Sequence, residues 1–336
     1  MTGSQPLAIG REGVRETLFG RRGIVKVVHA SLPLGMAASL GSTAEGAPLG
    51  RACLLMLLAI GCWSQSATLA NDLTDSAEDA AAGKRRWIRM LPRSIGWAVV
   101  AAMVAAGALV TTAAGHWSVP AAYGGAVLLG IAYSVRPVRL KDRSLGGPLA
   151  YAGASAVAYA VLPWTWLRPG LAVPAVLVPA VFLDKWVNLH FHQVIDYEAD
   201  RTTGAGTHAV AVGHGRARRL LRRLAWLTAF WLVGTAAFVA LALPAWRTAA
   251  ASTAGLVVLL AGRYVHRVRA RGEAASDLVR ELPPIYLALT LALFRALPVL
   301  VFARLAVMEP SAWGPFAVVV ILVGLDAWYA VGYRYE

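Results

Sequence analysis

The chain carries, at residues 50–79, the stretch GRACLLMLLAIGCWSQSATLANDLTDSAED. Positions 50–70 include a single charged residue, and a helix of about 20 apolar residues is long enough to cross the hydrocarbon core of a bilayer. Carboxylates follow this run directly, at Asp72, Asp75 and Asp79. The stretch therefore predicts a membrane-spanning helix whose end carries a cluster of acidic side chains.

Similar apolar runs recur along the chain, and short charged connectors separate them. Of the 336 residues, 58% are hydrophobic and 15% are charged, whereas a soluble domain carries about 25% charged residues. The runs are continuous, which excludes the alternating pattern of an outer-membrane barrel. The predicted spans are 24–41, 50–70, 94–114, 119–133, 147–167, 171–193, 220–243, 247–266, 283–304 and 312–332. The expected fold class is all-α, a polytopic transmembrane bundle of about nine or ten helices.

The formal net charge of +14 comes from basic residues whose placement bears on topology. They concentrate in alternate connectors, at 84–93, 136–143, 201–219 and 267–280. This pattern follows the positive-inside rule and argues against nucleic acid as a partner. It predicts a cytoplasmic N-terminal arm at residues 1–20 and cytoplasmic C-terminal ends for the even-numbered spans. The Ala-, Gly- and Arg-rich composition is typical of bacteria, so the expected location is a bacterial plasma membrane.

A second acidic cluster follows the span at 171–193. Gln193, Asp196 and Asp200 repeat the i, i+3, i+7 spacing of the first cluster, which places them on one face if the helix continues. Carboxylates at this spacing repel one another and are costly near a bilayer. A solvated loop end would explain one such cluster, but two matched clusters on one membrane face favour a site. Mg²⁺ supplies the needed compensation, since it binds carboxylates together with phosphates, and a diphosphate would bridge the two clusters.

A basic segment follows the span at 119–133. Beyond Tyr133 the chain carries Arg136, Arg139 and Lys141, and such side chains can close over phosphate oxygens. A connector that only sets topology is the alternative. Two charged pairs lie inside later spans: Asp184 with Lys185 is expected to form an internal ion pair, and Arg295 is a possible partner of Asp326.

Three motifs occur in a characteristic order. They are Asn71-Asp72-x-x-Asp75-x-x-x-Asp79, then Tyr133-Ser134 through Pro137, Leu140 and Lys141, then Asp196-x-x-x-Asp200 followed by Arg201, Gly204, Thr207 and Gly213. Together they resemble the UbiA superfamily of intramembrane prenyltransferases. The resemblance implies that residues 21–336 form one transmembrane domain, a helical bundle around a central cavity that opens to the bilayer.

The resemblance also implies roles for individual residues. Asp72, Asp75, Asp196 and Asp200 would bind Mg²⁺ and act in catalysis together with Lys141. The remaining polar residues of the motifs would contact the diphosphate: Asn71, Asp79, Tyr133, Arg139 and Arg201. A basic residue near the first helix, Lys26 or Arg22, would assist.

His192 is a candidate on the acceptor side, and Gln193, the first residue of the second cluster, is a candidate for substrate binding. His192 lies one turn before Asp196, and Gln193 is its neighbour. His192 would serve as a general base near the acceptor or as a partner that orients Asp196. A histidine that only packs at the rim of the site is the alternative.

The function implied by the resemblance is Mg²⁺-dependent transfer of an isoprenyl group to an aromatic or lipid-like acceptor within the membrane. The partners would be a prenyl diphosphate donor, a hydrophobic or aromatic acceptor and membrane lipids. Two alternatives remain open at this point. A terpene cyclase of the same type would ionise the same donor and trap the cation internally. A membrane transporter would use the carboxylates as an ion pathway, although transporters place their sites near the bilayer midplane.

Overall fold

The computed structural model describes residues 24–40, 49–75, 91–242 and 281–332, together with Arg86, Ile88 and Leu259. Its helices, numbered in chain order, are α1 Val28–Leu40, α2 Leu49–Thr74, α3 Arg93–Thr112, α4 Ser118–Ser134, α5 Gly146–Ala156, α6 Leu162–Leu167, α7 Ala172–Ile195, α8 Tyr197–Thr203, α9 His208–Val212, α10 His214–Ala242, α11 Pro284–Leu291, α12 Leu297–Met308 and α13 Trp313–Gly332. The described residues contain no β-strand.

Two π-helical segments join helices into longer rods. Val157–Val161 connects α5 to α6, and Ala292–Ala296 connects α11 to α12. With these joins, each predicted span that falls on described residues overlaps one helix or one joined pair of helices. We call each such unit a rod. The predicted span 247–266, apart from Leu259, and the predicted arm at 1–20 lie outside the described residues.

Length and composition confirm the membrane class. In the described part of the chain, six helices are long and apolar enough to cross a membrane, while α1 and α4 are shorter apolar helices. The backbone polar groups of such helices are satisfied within each helix, as the hydrocarbon core requires. The predicted all-α transmembrane bundle is confirmed, and the chain is an integral membrane protein.

The rods pack as a closed ring around α1. Helix α2 packs on α3 and α4, α4 on α5, α5 on α7, α7 on α10 and α10 on α11; α12 then packs on α13, which returns to α2. Helix α1 lies inside and contacts α2, α7, α12, α13 and both π-helical segments. Its side chains from Val28 to Ala38 are buried except for that of His29.

Polar contacts join the N-terminus of α2 to the connector between α12 and α13. The backbone N–H of Leu49 donates to Glu309 Oε1 at 3.2 Å, and that of Gly50 donates to Ser311 Oγ at 3.1 Å. A carboxylate is favourable at a helix N-terminus because the helix dipole is positive there. The opposite end of α2 carries the first acidic cluster. Because the rods alternate in direction, the C-terminal ends of α2, α4 and α7 lie on one side of the ring.

Candidate active site

The first acidic cluster sits on the last turn of α2. The N–H of Asp75 donates to Asn71 O at 2.9 Å, so the helical turn includes Asp75. Asp72 is buried and lies 3.5 Å from Arg86 Nε. A buried carboxylate is retained when a cation or hydrogen bond compensates its charge. Residues 76–85, which include the predicted ligand Asp79, lie outside the described residues.

The basic segment after α4 closes over this cluster. Lys141 Nζ contacts Asp75 Oδ1 directly and lies 3.3 Å from Asn71 Oδ1. Arg139 Nη2 lies 3.5 Å from the same oxygen of Asp75, and Ser134 Oγ donates to Asn71 Oδ1 at 3.1 Å. The two predicted cations and the predicted carboxylate are thus brought together.

The basic segment adopts an unusual backbone. Arg139 and Ser144 have φ values of 35° and 42°, in the left-handed region. Side chains other than glycine rarely occupy this region, and such strain persists only where the surroundings impose it. Here two contacts impose it: Arg139 Nε pairs with Asp142 Oδ2 at 2.8 Å, and the Ser144 N–H donates to Gly206 O at 3.1 Å.

The second acidic cluster lies at a helix break. Helix α7 ends at Ile195, and Asp196 caps it with φ −82° and ψ 6° before α8 begins. The N–H of Asp200 still donates to Asp196 O at 2.8 Å. The continuous helix expected through Gln193, Asp196 and Asp200 is therefore interrupted at Asp196. Thr207 Oγ1 then donates to Asp200 Oδ2 at 3.0 Å.

The basic loop after α4 docks on the loop that follows the second acidic cluster. Ser144 and Thr207 form a parallel bridge, and Ser144 Oγ lies 3.0 Å from His208 Nδ1. Gly206 packs so closely that a Cβ atom there would lie 2.2 Å from the carbonyl oxygen of Asp142. Contacts therefore run without interruption from Asp75 through Lys141 and the strained loop to Thr207 and Asp200.

Tyr133 lies at the end of α4, directly before Ser134, which donates to Asn71 Oδ1 of the first cluster. The ring of Tyr133 lies 5.8 Å from that of Tyr151 on α5. A tyrosine hydroxyl can donate to an anion or to a carboxylate. The structure thus places the predicted Tyr133 next in sequence to a residue that contacts the first acidic cluster.

Other predicted residues make contacts elsewhere. The Arg201 side chain is exposed and pairs with Glu198 at 3.1 Å, and His192 is exposed beside Phe191. Gln193 is buried. Lys26 Nζ donates to Thr68 Oγ1 at 3.0 Å, one turn of α2 before Asp72. The roles predicted for these residues stay predictions, and Arg22 lies outside the described residues.

Sequence reasoning missed four residues that hold the site together: Asp142, Ser144, Gly206 and His208. Asp142 pairs with Arg139, and the other three join the two loops. Asp142 directly follows Lys141, and a carboxylate beside two cations is the only signal that could have drawn attention to it. The loop contacts have no signal in residue spacing, because they depend on how the connectors fold back.

The donor atoms at the site fit a hard cation. Among the described residues, no three His, Cys, Asp or Glu side chains gather closely enough to hold a metal ion unaided. The two helix ends present only oxygen donors, from Asn71, Asp72, Asp75, Asp196 and Asp200. Mg²⁺ is typically held by one or two carboxylates, waters and substrate phosphates. The residues therefore fit magnesium that arrives with a diphosphate, and do not form a closed cage.

The buried His208 makes the loop contact sensitive to acid. Burial lowers the pKa of His208 below its ordinary value of 6.5. As pH falls below about 6.5, the unfolded chain binds a proton that the folded loop resists, so the free energy of unfolding falls. We expect the melting temperature to drop between neutral pH and about pH 5.5, and His208→Gln to lose this part of the drop. Ser144→Ala keeps the buried imidazole and should therefore keep the wild-type drop in melting temperature. If the melting temperatures of wild type and His208→Gln fall equally with pH, His208 is not the source of the drop.

Comparison with solved structures identifies the fold. A UbiA homologue from Archaeoglobus fulgidus bound to Cd²⁺ superimposes with a TM-score of 0.56 over 84% of this chain and 98% of that one, at 21% identity. The chain has the UbiA fold. No protein-family model and no curated protein matches it.

Two further structures with the UbiA fold match at similar levels. The Archaeoglobus fulgidus homologue bound to GPP and Mg²⁺ has a TM-score of 0.53 and 17% identity, over 89% of this chain and 96% of that one. A structure of digeranylgeranylglyceryl phosphate synthase has a TM-score of 0.54 and 14% identity, over 85% of this chain and 98% of that one. The fold expected from the three motifs is therefore confirmed along most of the chain.

Proposed function

We propose that the chain is a UbiA-superfamily enzyme that transfers an isoprenyl group from a prenyl diphosphate to an aromatic or lipid-like acceptor within the membrane. The supporting observation is the unbroken series of contacts that joins Asp75 and Lys141, through the basic loop after α4, to Thr207 and Asp200. A fold alone does not set a function, so the proposal rests on this site. The likeness to a homologue bound to GPP and Mg²⁺ is consistent with it.

Cationic side chains lie against the carboxylates of the first acidic cluster. Lys141 and Arg139 lie on Asp75, and Arg86 lies near Asp72. A diphosphate carries several negative charges, and it offers these cations better partners than a single carboxylate does. Substrate binding would therefore exchange ion pairs, and the carboxylates released in this way would face magnesium.

Magnesium bound by Asp72, Asp75, Asp196 and Asp200 would neutralise negative charge on the diphosphate. Lys141 Nζ would donate to a phosphate oxygen as a point charge, and Arg139 would donate through its planar fork. Both cations stabilise the electron pair that leaves with the diphosphate when the allylic C–O bond breaks. The acceptor carbon or oxygen then forms a bond to the allylic carbon and gives up its proton to a base, the role considered for His192. The reaction needs no nucleophilic side chain.

The position of the site within the membrane follows from the charge pattern. The basic connectors adjoin the C-terminal ends of α2, α4 and α7, and positively charged connectors face the cytoplasm. We therefore assign the site to the cytoplasmic side of a bacterial plasma membrane. A diphosphate would enter from water there, while the isoprenyl chain extends between apolar helices.

The deciding test is Mg²⁺-dependent diphosphate release from geranyl, farnesyl and geranylgeranyl diphosphates by membranes that contain the protein. Release that stops with a chelator supports the proposal. A cyclic hydrocarbon formed without any acceptor would instead identify a terpene cyclase. No release from any donor, even with membrane extract as a source of acceptor, would contradict the enzyme assignment and favour a transport assay in vesicles.

Lys141 offers a focused test of the ion-pair exchange. Lys141→Gln removes the cation nearest to Asp75, and we expect diphosphate release to fall about 100-fold because one donor to the leaving group is lost. Arg143→Gln is the matched control, since Arg143 lies in the same loop, is exposed, and its guanidinium donates to Pro137 O. Equal rates in both variants would show that Lys141 does not contact the leaving group.

A further inference from the structure

Helix α10 is longer than a membrane crossing requires. Its 29 residues correspond to about 43 Å at about 1.5 Å per residue, whereas the hydrocarbon core is about 30 Å thick. Residues 224–242 carry no charge, and this part is long enough to cross the core. Helices α8 and α9 are short, so α10 begins on the side of the membrane where α7 ends. Residues 214–223 of α10 therefore lie in the headgroup layer, on the side of the acidic clusters.

Arginine dominates this first segment of α10. Residues 214–223 contain no carboxylate and five arginines, namely Arg216, Arg218, Arg219, Arg222 and Arg223. Arg218 pairs with Glu281. The other four side chains are exposed, and none of them pairs with a carboxylate in the part of the chain that the structure describes. A guanidinium keeps its charge at any ordinary pH, so these cations can bind an anion from outside the protein.

Three of these arginines line one face of α10. Arg216, Arg219 and Arg223 are spaced i, i+3 and i+7, which places them in one row along the helix. The opposite face carries the buried side chains of Ala217 and Leu221 and packs on the bundle, mainly on α7. The row of arginines therefore points away from the bundle. We call Arg216, Arg219 and Arg223 the arginine stripe.

The same face becomes aromatic where α10 enters the hydrocarbon core. Trp226 and Phe230 follow Arg223 by three and seven residues, and their rings are 6.2 Å apart. Their side chains are 50% and 72% exposed, so they face the surrounding lipid. Tryptophan is typical of the boundary between headgroups and acyl chains. The positive-inside rule accounts for the sign of the charge on this segment, but it does not require the arginines to share a face with the exposed rings.

We propose that the arginine stripe binds the phosphate of an anionic phospholipid, whose acyl chains lie against Trp226 and Phe230. The lipid belongs to the leaflet on the side of the acidic clusters. Charge and depth together select this partner: a guanidinium binds phosphate oxygens through its planar fork, and lipid phosphates are the anions of the headgroup layer. The proposal does not depend on the proposed function, because binding at this outer face needs no reaction at the acidic helix ends.

Thermal unfolding of the full chain in a neutral detergent tests the proposal. The protein is titrated with phosphatidylglycerol, which is anionic, or with phosphatidylcholine, which has no net charge. The midpoint is the lipid concentration that gives half of the maximal rise in melting temperature, since a ligand of the folded state stabilises it. We expect the midpoint for phosphatidylcholine to be at least about tenfold higher. Equal midpoints for the two lipids would overturn the proposal.

A double variant locates the effect on α10. Arg219→Gln/Arg223→Gln removes two charges of the stripe, and glutamine favours a helix about as well as arginine does. Each basic residue near an anionic surface contributes about fivefold in affinity, so the midpoint for phosphatidylglycerol should rise about 25-fold. The single variant Arg219→Gln should raise it about fivefold. An unchanged midpoint in either variant would contradict binding at the stripe.

Arg93→Gln/Arg143→Gln is the matched control. It removes two exposed arginines on the same side of the membrane, at the start of α3 and in the basic loop after α4. Neither position belongs to the stripe, and the midpoint for phosphatidylglycerol should stay within about twofold of that of the wild type. A shift in the control as large as that in Arg219→Gln/Arg223→Gln would show that the lipid responds only to total surface charge, and the assignment to α10 would fail.

Discussion

Replacing Asp75 or Asp200 by Asn is expected to reduce Mg²⁺-dependent diphosphate release about 1000-fold. The amide keeps the size of the side chain and removes its charge. At Asp75 the change leaves Lys141 and Arg139 without the carboxylate that now positions them. At Asp200 it removes the negative charge at the end of the second acidic cluster, while the amide oxygen can still accept from Thr207. The measurement is the rate of release from geranyl diphosphate in membranes, at matched protein levels.

Glu198 supplies the matched control for this pair. It lies between Asp196 and Asp200 in sequence, but its side chain is 71% exposed and pairs with Arg201 at the surface. Surface pairs of this kind contribute little to stability, and we expect Glu198→Gln to stay within about twofold of the wild type. If Glu198→Gln loses as much activity as Asp200→Asn, the acidic segment acts through its overall charge. The specific assignment to Asp200 would then fail.

The second large effect is expected from Gly206→Ala. The added Cβ would lie 2.2 Å from the backbone oxygen of Asp142 and 3.0 Å from its carbonyl carbon. Neither atom is the end of a flexible side chain, so the loops after α4 and α8 must separate. Lys141 and Arg139 would then shift relative to Asp200. A displacement of about 1 Å at a reacting centre can cost about 100-fold in rate, and we expect a loss of that order.

Gly215→Ala tests whether any added methyl group in this region has the same effect. A Cβ at Gly215 would meet only Arg219 Nη1, at 3.9 Å, and alanine is favourable within a helix such as α10. We expect wild-type rates of diphosphate release from this variant. Full activity in Gly206→Ala, with an unchanged melting temperature, would show that loop docking is not required for the reaction.

The spans were predictable because hydrophobic length is a local property. Helix α2 extends over Leu49–Thr74, close to the predicted 50–70, and the other described rods agree with their spans to within a few residues at most ends. Asp184 was expected to pair with Lys185, and Asp326 was named as a candidate partner of Arg295; both pairs are present. A charge inside a membrane needs a partner, and few candidates were within reach.

The details of the site depend on contacts that sequence spacing does not encode. The break at Asp196 lies inside a run that reads as one helix. Arg139 and Ser144 adopt left-handed backbone conformations, which their residue types do not predict. The contact between Gly206 and Asp142 joins two connectors separated by more than one span, and only the folded bundle brings them together. The motif residues were expected through family resemblance, whereas the residues that join the motifs were not.

The central position of α1 has a consequence for how the bundle assembles. Helix α1 is made before every other described helix, yet it contacts α12 and α13, which are made last. With 13 residues it is also shorter than the roughly 20 that cross a bilayer unaided. Its surroundings therefore stay incomplete until synthesis is nearly finished, and only then is its surface fully covered. The earliest helix is the last to reach its final environment, so folding of this bundle depends on contacts that are distant in sequence.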